Sequence, residues 1–256
     1  MKRRALLLTA MPLLLTAGTA AAADGVAATG RRYSVMSLVG DRLDVVTYRL
    51  AAGTNRDANV HNPVALEGGV FDKAALLSVE RALARTDRTA AVQLLAVAAP
   101  EAFERQNRFF EGGKATLPPS IDAAARSGGS THLVLVTKYR HEANLQLADS
   151  KTGSGMLEGL GFYIDRAARM IESGSGQHSI GFLAPFAYIK LTLIDLQTST
   201  VVRQLSGAAS TTFAASRAKQ GADPWDALEP AEKIDVLRRL LTEEVERLIP
   251  ELVAGL

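Results

Sequence analysis

Cysteine is absent from the 256 residues of this sequence. An exported protein without cysteine has no disulfide bonds, so its stability must come from a packed core. The lipidated cysteine that anchors lipoproteins is excluded as well. Since 47% of the residues are hydrophobic, the chain carries enough apolar side chains for a substantial core.

Long hydrophobic runs are missing after the first fifteen residues, and no later stretch has the ~20 apolar residues that a transmembrane helix needs. At the amino terminus, Lys2 to Arg4 precede an apolar run from Ala5 to Leu15, and small residues follow up to Ala23. This pattern is typical of a Sec-type signal peptide, residues 1–23. We therefore expect a periplasmic or secreted protein with no transmembrane segment and no lipid anchor in the mature chain.

An excess of basic charge is also lacking once the signal peptide is removed. The full sequence has 29 Lys and Arg against 27 Asp and Glu. Cleavage removes Lys2, Arg3 and Arg4, which leaves 26 basic residues against the same 27 acidic ones. The sequence therefore predicts no basic patch and no nucleic-acid partner.

The short motifs of common catalytic and metal sites do not occur. There is no Gly-x-Ser-x-Gly elbow for a serine nucleophile, and the four histidines form neither His-x-His nor His-Glu-x-x-His. Asp165 and Asp195 each end a predicted strand, where a turn or capping role is expected. We predict no catalytic residue and no metal ligand. This favours a non-enzymatic protein, although a carboxylate pair distant in sequence stays open.

Two glycine-rich stretches raise the question of a phosphate-binding loop. The first, "KTGSGMLEGLGFYID" at 151–165, has four glycines, and the second, "ESGSGQHSIGF", begins at Glu172. A dinucleotide fingerprint needs Gly-x-Gly-x-x-Gly and a following helix. In the first stretch the third glycine is one position too far, and "GFYID" is typical of a strand. We predict no cofactor, and a flexible connection or bulged hairpin edge.

Residue periodicity predicts an α/β fold of the α+β kind, in which helices pack on one mixed sheet. Amphipathic spacing indicates helices at 71–85 and 230–248, the second ended by Pro250, and shorter helices at 100–110 and from Ser120 to 126. Strands are predicted at 33–39 and 43–48, joined as a hairpin by 40–42, and at 91–97, 131–139, 186–196 and 201–205. A long polar loop is expected at 51–69. We interpret residues 24–256 as one domain with a long glycine-rich insert at 141–185.

Three stretches carry a resemblance to known envelope proteins. "IDAAARSGGSTHLVLV" at 121–136 is similar to the helix–glycine–strand step of periplasmic proteins built like the curli-secretion component. "YIKLTLIDLQTSTVVRQ" at 188–204 looks like their hairpin, and "YSVMSLV" resembles their opening strand. The amino-terminal domain of the Tol translocation protein and the lipoprotein activators of penicillin-binding proteins share this layout. The resemblance implies a domain that binds proteins or assembles at the envelope.

Two functional hypotheses follow. The first is an exported, non-catalytic domain that binds a protein or another cell-envelope component. The second is a periplasmic hydrolase or small-ligand-binding protein with a pocket under the 141–185 insert. The residues that would form the partner surface or the pocket are Phe182, Phe186, His141, Glu142, His178 and Asp165. Asp195 would join the polar members in the second hypothesis.

Overall fold

The computed structural model describes residues 31–50, 57–171, 176, 178–218 and 223–256. The predicted signal peptide and the start of the predicted 51–69 loop lie outside these residues. Four α-helices are described: α1 (Val70–Thr86), α2 (Pro100–Arg105), α3 (Pro119–Arg126) and α4 (Pro230–Leu252). The strands are β1 (Arg32–Ser37), β2 (Arg42–Thr47), β3 (Val60–Ala65), β4 (Ala91–Leu95), β5 (Phe110–Glu111), β6 (Lys114–Ala115), β7 (His132–Lys138), β8 (Arg140–Glu142), β9 (Leu145–Gln146), β10 (Lys151–Thr152), β11 (Met156–Ile171), β12 (His178–Asp195), β13 (Thr200–Ser210) and β14 (Phe213–Ala214).

A large mixed sheet with helices packed on it confirms the predicted α+β fold class. β12 is its central strand. One edge of β12 pairs antiparallel with β13. The other edge pairs first with β11, through residues 178–188, and then with β7, through residues 189–195. β7 and β11 are therefore successive strands along a single edge.

The predicted hairpin between the first two strands is wrong. β1 lies between β4 and β7 and is parallel to both, whereas β2 pairs with β11 and β3. The chain bends at residues 38–41, and β2 then continues in the direction of β1 instead of turning back beside it. Asp72, in the first turn of α1, holds this bend: its carboxylate accepts hydrogen bonds from the Ser37 hydroxyl and from the backbone N–H groups of Val39 and Gly40. Burial nevertheless raises the pKa of Asp72.

This arrangement divides the sheet into two parts. One contains β4, β1 and β7, and the other contains β3, β2 and β11, with β12 running through both. We call the junction the seam. Two segments leave the sheet there, residues 38–41 between β1 and β2, and residues 139–155 between β7 and β11.

The helices α1 and α4 cover one face of the sheet, and most of the core lies under them. The periodicity of both helices was predicted correctly. α4 passes through Pro250 and ends at Leu252 rather than before the proline. On the opposite face, α2 and α3 cover one part, while the excursion that contains β8 to β10 packs over the other. On this face the seam lies between the part covered by α2 and α3 and the part covered by the β8–β10 segment.

Other predictions need correction at the level of single elements. The predicted 51–69 loop contains β3, which pairs along the whole length of β2. The predicted strand at 91–97 is the half-buried edge strand β4, which ends at Leu95. The predicted 100–110 helix is divided between α2 and a 3₁₀ turn. α3 begins at Pro119, one residue before the predicted start at Ser120.

The 141–185 insert, predicted as a glycine-rich connection in which only "GFYID" is strand-like, supplies all of β11 and residues 178–185 of β12, the two longest strands of the sheet. β11 has 16 residues and β12 has 18, against a usual range of about 3–10. Gly161 lies where β11 meets β2: a Cβ there would come within 2.0 Å of the Asp44 carbonyl oxygen and 2.7 Å of the Phe186 ring. At least this glycine is a packing residue of the sheet rather than part of a loop.

Candidate functional site

Phe182 and Phe186, two of the residues proposed from sequence, are buried. They are 1% and 0% exposed and lie in a core cluster with Tyr163 and Tyr188. The rings of Tyr163 and Phe182 are stacked with centroids 6.1 Å apart. Burial raises the pKa of both tyrosines. These phenylalanines stabilise the sheet and offer no surface to a partner.

His141 and Glu142 lie on β8, which pairs antiparallel with the start of β11. Both residues are exposed. The His141 ring packs against Tyr139 with centroids 5.4 Å apart, and its Nδ1 lies 3.1 Å from the Glu142 carbonyl oxygen. These contacts are local.

Asp165 and Asp195 have the turn roles that their positions indicate. Asp165 Oδ1 accepts hydrogen bonds from the N–H groups of Ala167 and Ala168 at 2.7 and 2.9 Å. This is the point at which the pairing of β11 with β12 shifts register. Asp195 accepts in the same way from Gln197 and Thr198, and these hydrogen bonds hold its pKa below the ordinary value.

The polar residues proposed for a hydrolase pocket do not converge. His178 begins β12 and Asp195 ends it, and at about 3.3 Å per residue their separation along the strand is roughly 56 Å. Among the described residues, no group of three His, Cys, Asp or Glu is placed to hold a metal ion.

The distal ends of β11 and β12 form a two-stranded projection, which we call the arm: residues 166–171 and 178–180. Beyond Asp165 and Phe182 the two strands pair with each other, in the register Arg169↔Ile180 and Ile171↔His178. β2 ends at Thr47, opposite Ile164. In the described part of the chain, the arm therefore extends past its neighbouring strands.

One face of the arm presents large side chains to solvent. Because directly opposed residues and residues two apart share a face, Arg169, Ile171, His178 and Ile180 lie together. All four are exposed, and Ile171 and Ile180 are 64% and 62% exposed. Met170 and Ala168, on the opposite face, pack against the aromatic core cluster.

The base of the arm is fastened to the segment before α4. Arg166 donates two hydrogen bonds, each 3.1 Å, to the carboxylate of Asp223. Gly181 has φ +92°, and a Cβ there would come within 2.7 Å of both the Asp165 carbonyl oxygen and Pro224. The arm is thus positioned by close packing at its base and by a bidentate ion pair.

The seam holds a second candidate, a charged cleft with two adjoining cavities of about 300 and 200 Å³. Asp44, His61 and Glu158 line both cavities. The complete lining, which we call the seam cleft, is Arg42, Asp44, Asp57, His61, Pro63, Lys138, Arg140, Met156, Leu157 and Glu158. The lining includes both acidic and basic side chains, so the cleft suits a polar ligand rather than one of a single charge.

An imidazole lies between two carboxylates in the seam cleft. His61 Nδ1 is 2.7 Å from Asp44 Oδ2, and its Nε2 is 3.7 Å from Asp57 Oδ1. Asp44 projects from β2 and His61 from the neighbouring strand β3. Asp44 Oδ1 is buried and has no hydrogen-bond partner among the described residues. A buried acceptor of this kind is unusual in proteins and gains free energy when a donor reaches it.

Lys138 forms the floor of the seam cleft. Its side chain is 4% exposed and forms an ion pair with Asp41, while its backbone N–H donates to Gln106 Oε1 at 2.8 Å. Burial lowers the pKa of Lys138, partly offset by Asp41. Sequence reasoning missed this cleft because its residues come from five separate strands and from the segment before β3. The available signal was a lysine at the end of the apolar run "HLVLVTK".

The solved structures that are similar to this chain over most of its length include the following three. A neuraminyllactose-binding hemagglutinin homolog from Helicobacter pylori is 7% identical, covers 89% of this chain and 87% of its own, and has a TM-score of 0.40. PelC from Paraburkholderia phytofirmans, a dodecamer, is 12% identical, with coverages of 89% and 90% and a TM-score of 0.34. A DUF330 protein from Xanthomonas campestris is 9% identical, with coverages of 88% and 85% and a TM-score of 0.35.

Similarity at this level does not bear on function. No protein-family model and no curated protein matches the chain. No helix in the described residues is long and apolar enough to cross a membrane.

Proposed function

We propose that this chain is an exported, non-catalytic domain that binds a protein or another component of the cell envelope. The observation that carries the proposal is the arm, whose exposed face presents two isoleucines flanked by an arginine and a histidine. Export rests on the signal-peptide pattern at 1–23, and the envelope setting rests on that pattern and on the resemblance of the 121–136 and 188–204 stretches to periplasmic domains.

The arm suits a binding role because the two isoleucines of its solvent-facing side are mostly exposed and lie outside the core clusters of the described chain. Ile171 and Ile180 face solvent on a two-stranded extension, and an isolated pair of strands is itself marginally stable. Exposed apolar side chains framed by polar ones are typical of interaction sites. A partner that covered Ile171 and Ile180 would also stabilise the arm, because binding would order its two strands and bury these side chains at the same time.

Site-specific photocrosslinking tests this proposal. A photoreactive amino acid at Ile180 should form a discrete adduct in the cell-envelope fraction. The same amino acid at Val64, which is also exposed at 49%, should not. Excess purified wild-type protein should compete the adduct away, and the Ile171→Ser/Ile180→Ser variant should not. Equal competition by both proteins, or the same adduct at both positions, would overturn the proposal.

A second candidate function, binding of a small polar ligand, is favoured by the seam cleft and specifically by the unpartnered Asp44 Oδ1. The ligand would offer a hydrogen-bond donor, such as an ammonium group, to this oxygen. Amino acids and diamines should then raise the melting temperature of the wild type and of Glu142→Ala but not of Asp44→Ala. If Asp44→Ala responds as the wild type does, this candidate is wrong.

A further inference from the structure

The outer edge of β13 is an open edge of the large sheet. On its inner side β13 pairs with β12 in an unbroken register from Arg203 to Ser210. On its outer side, the described strands pair with it only where Thr200 meets Lys114 of β6. At the far end, the Ser210 hydroxyl accepts a hydrogen bond from Gln146 of β9. Between these points the outer backbone groups of β13 face no described strand.

Two of the sheet's edges, those formed by β3 and β13, differ in their protection. β3 carries Pro63, and a proline in an edge strand blocks further pairing. β13 has no proline or lysine, and its solvent-facing residues Gln204, Ser206 and Ala208 are uncharged. A pairing irregularity near Val202 interrupts only one end of the strand. From Gln204 to Ala208 the edge is unbroken and uncharged, and an edge of this kind is a site at which another strand adds.

The single charged side chain of this stretch is directed away from the edge. The Arg203 guanidinium donates hydrogen bonds to the carbonyl oxygens of Glu251 and Ala254, at the end of α4. Its charge is therefore engaged within the chain. The neighbouring position Gly207 has no side chain, because Glu244 of α4 fills the space that a Cβ would occupy.

We propose that a second copy of this chain pairs with β13 through an antiparallel β13–β13 contact. Centred on Leu205, this register places Gln204 opposite Ser206 of the other copy, and Arg203 opposite Gly207. Identical charges then never meet, whereas a register centred on Arg203 would place the two arginines face to face, which is destabilising. The contact has two-fold symmetry, so it closes as a dimer rather than extending into a fibre.

The mass of the purified protein in solution tests this inference. Sedimentation velocity should give twice the monomer mass for the wild type. The Gln204→Lys/Ser206→Lys variant places lysines opposite each other across the contact, so it should dissociate with a Kd about tenfold or more higher. Two lysines on the protected edge, Asn62→Lys/Val64→Lys, form the matched control and should leave the dimer unchanged. Far-UV circular dichroism checks that each variant is folded.

Two complementary experiments decide the result even if the lysine variant folds poorly. Equal amounts of the lysine variant and Gln204→Glu/Ser206→Glu should combine into a mixed dimer. Because the chain has no cysteine, a mixture of Gln204→Cys and Ser206→Cys should form a disulfide-linked dimer, since the register brings those positions together. A wild type that stays monomeric at all concentrations, a folded lysine variant that dimerises as the wild type does, or a cysteine mixture that stays unlinked would overturn the inference.

Discussion

The inner and outer halves of the β11–β12 hairpin are formed by the same two strands and have opposite surroundings. In the inner half, residues 159–165 and 182–188 lie between β2 and β13, and aromatic side chains pack there with almost no exposure. In the outer half, the arm, comparable apolar side chains face solvent. Apolar residues in the inner half thus stabilise the fold, whereas those in the arm are available for binding.

Substitution of one large apolar residue in each half should separate these roles most clearly. Phe186→Ala removes a fully buried ring, and we expect it to lower the free energy of unfolding by about 3–5 kcal/mol. Ile180→Ala, in the arm, should change it by no more than about 0.5 kcal/mol. Urea denaturation followed by circular dichroism measures both. Equal losses would contradict the distinction between the halves.

A methyl group added at Gly161, in the inner half, should lower the free energy of unfolding by a smaller amount. The new Cβ would collide with the Asp44 carbonyl oxygen, and such overpacking costs about 1–3 kcal/mol. Ala167→Gly, in the exposed arm, is the comparison and should cost under about 1 kcal/mol. Thermal denaturation of the two variants would reveal the difference. A Gly161→Ala protein as stable as the wild type would mean that β2 and β11 are less closely packed than described.

We expect the smallest loss of global stability from a substitution at the base of the arm. Arg166→Gln breaks an ion pair whose two side chains are 47% and 46% exposed, so the loss of global stability should be under about 1 kcal/mol. Amide hydrogen exchange in residues 167–171 should nevertheless become faster, while exchange in residues 159–165 stays unchanged. Arg238→Gln, which removes a local ion pair on α4, is the control. Faster exchange throughout the hairpin would show that the halves are not independent.

Sequence periodicity was sufficient to predict the α+β fold class, α1, α4 and several strands. These elements follow from local patterns: the apolar spacing of α1 repeats every 3.6 residues, and the run in β7 is continuous. The sequence also indicated turn roles for Asp165 and Asp195, whose carboxylates hold the following backbone N–H groups. Each of these features depends on residues that are close together in the chain.

The errors concern partners that lie far apart in the chain. Two short strands separated by Gly40 to Arg42 look like a hairpin, yet β1 pairs with β4 and β7. Its alternating side chains enter two core clusters on opposite faces of the sheet, which helices from distant parts of the chain cover. The seam cleft went unnoticed for the same reason, since Asp44, His61, Lys138 and Glu158 approach one another only when β2, β3, β7 and β11 assemble. Local spacing contains no information about such contacts.

Phe186 and Ile180 show what the local sequence determines and what only the tertiary structure decides. Both are large apolar residues of β12, but only Phe186 lies in a predicted strand, at 186–196, whereas Ile180 lies in the predicted glycine-rich insert. Whether each is buried depends on whether another strand or helix lies beside it, which is a property of the assembled sheet. Residue periodicity therefore determines strands such as β7 and the second part of β12, whose patterns are local, whereas tertiary packing decides how far those strands extend, which of their residues become core and which remain available to a partner.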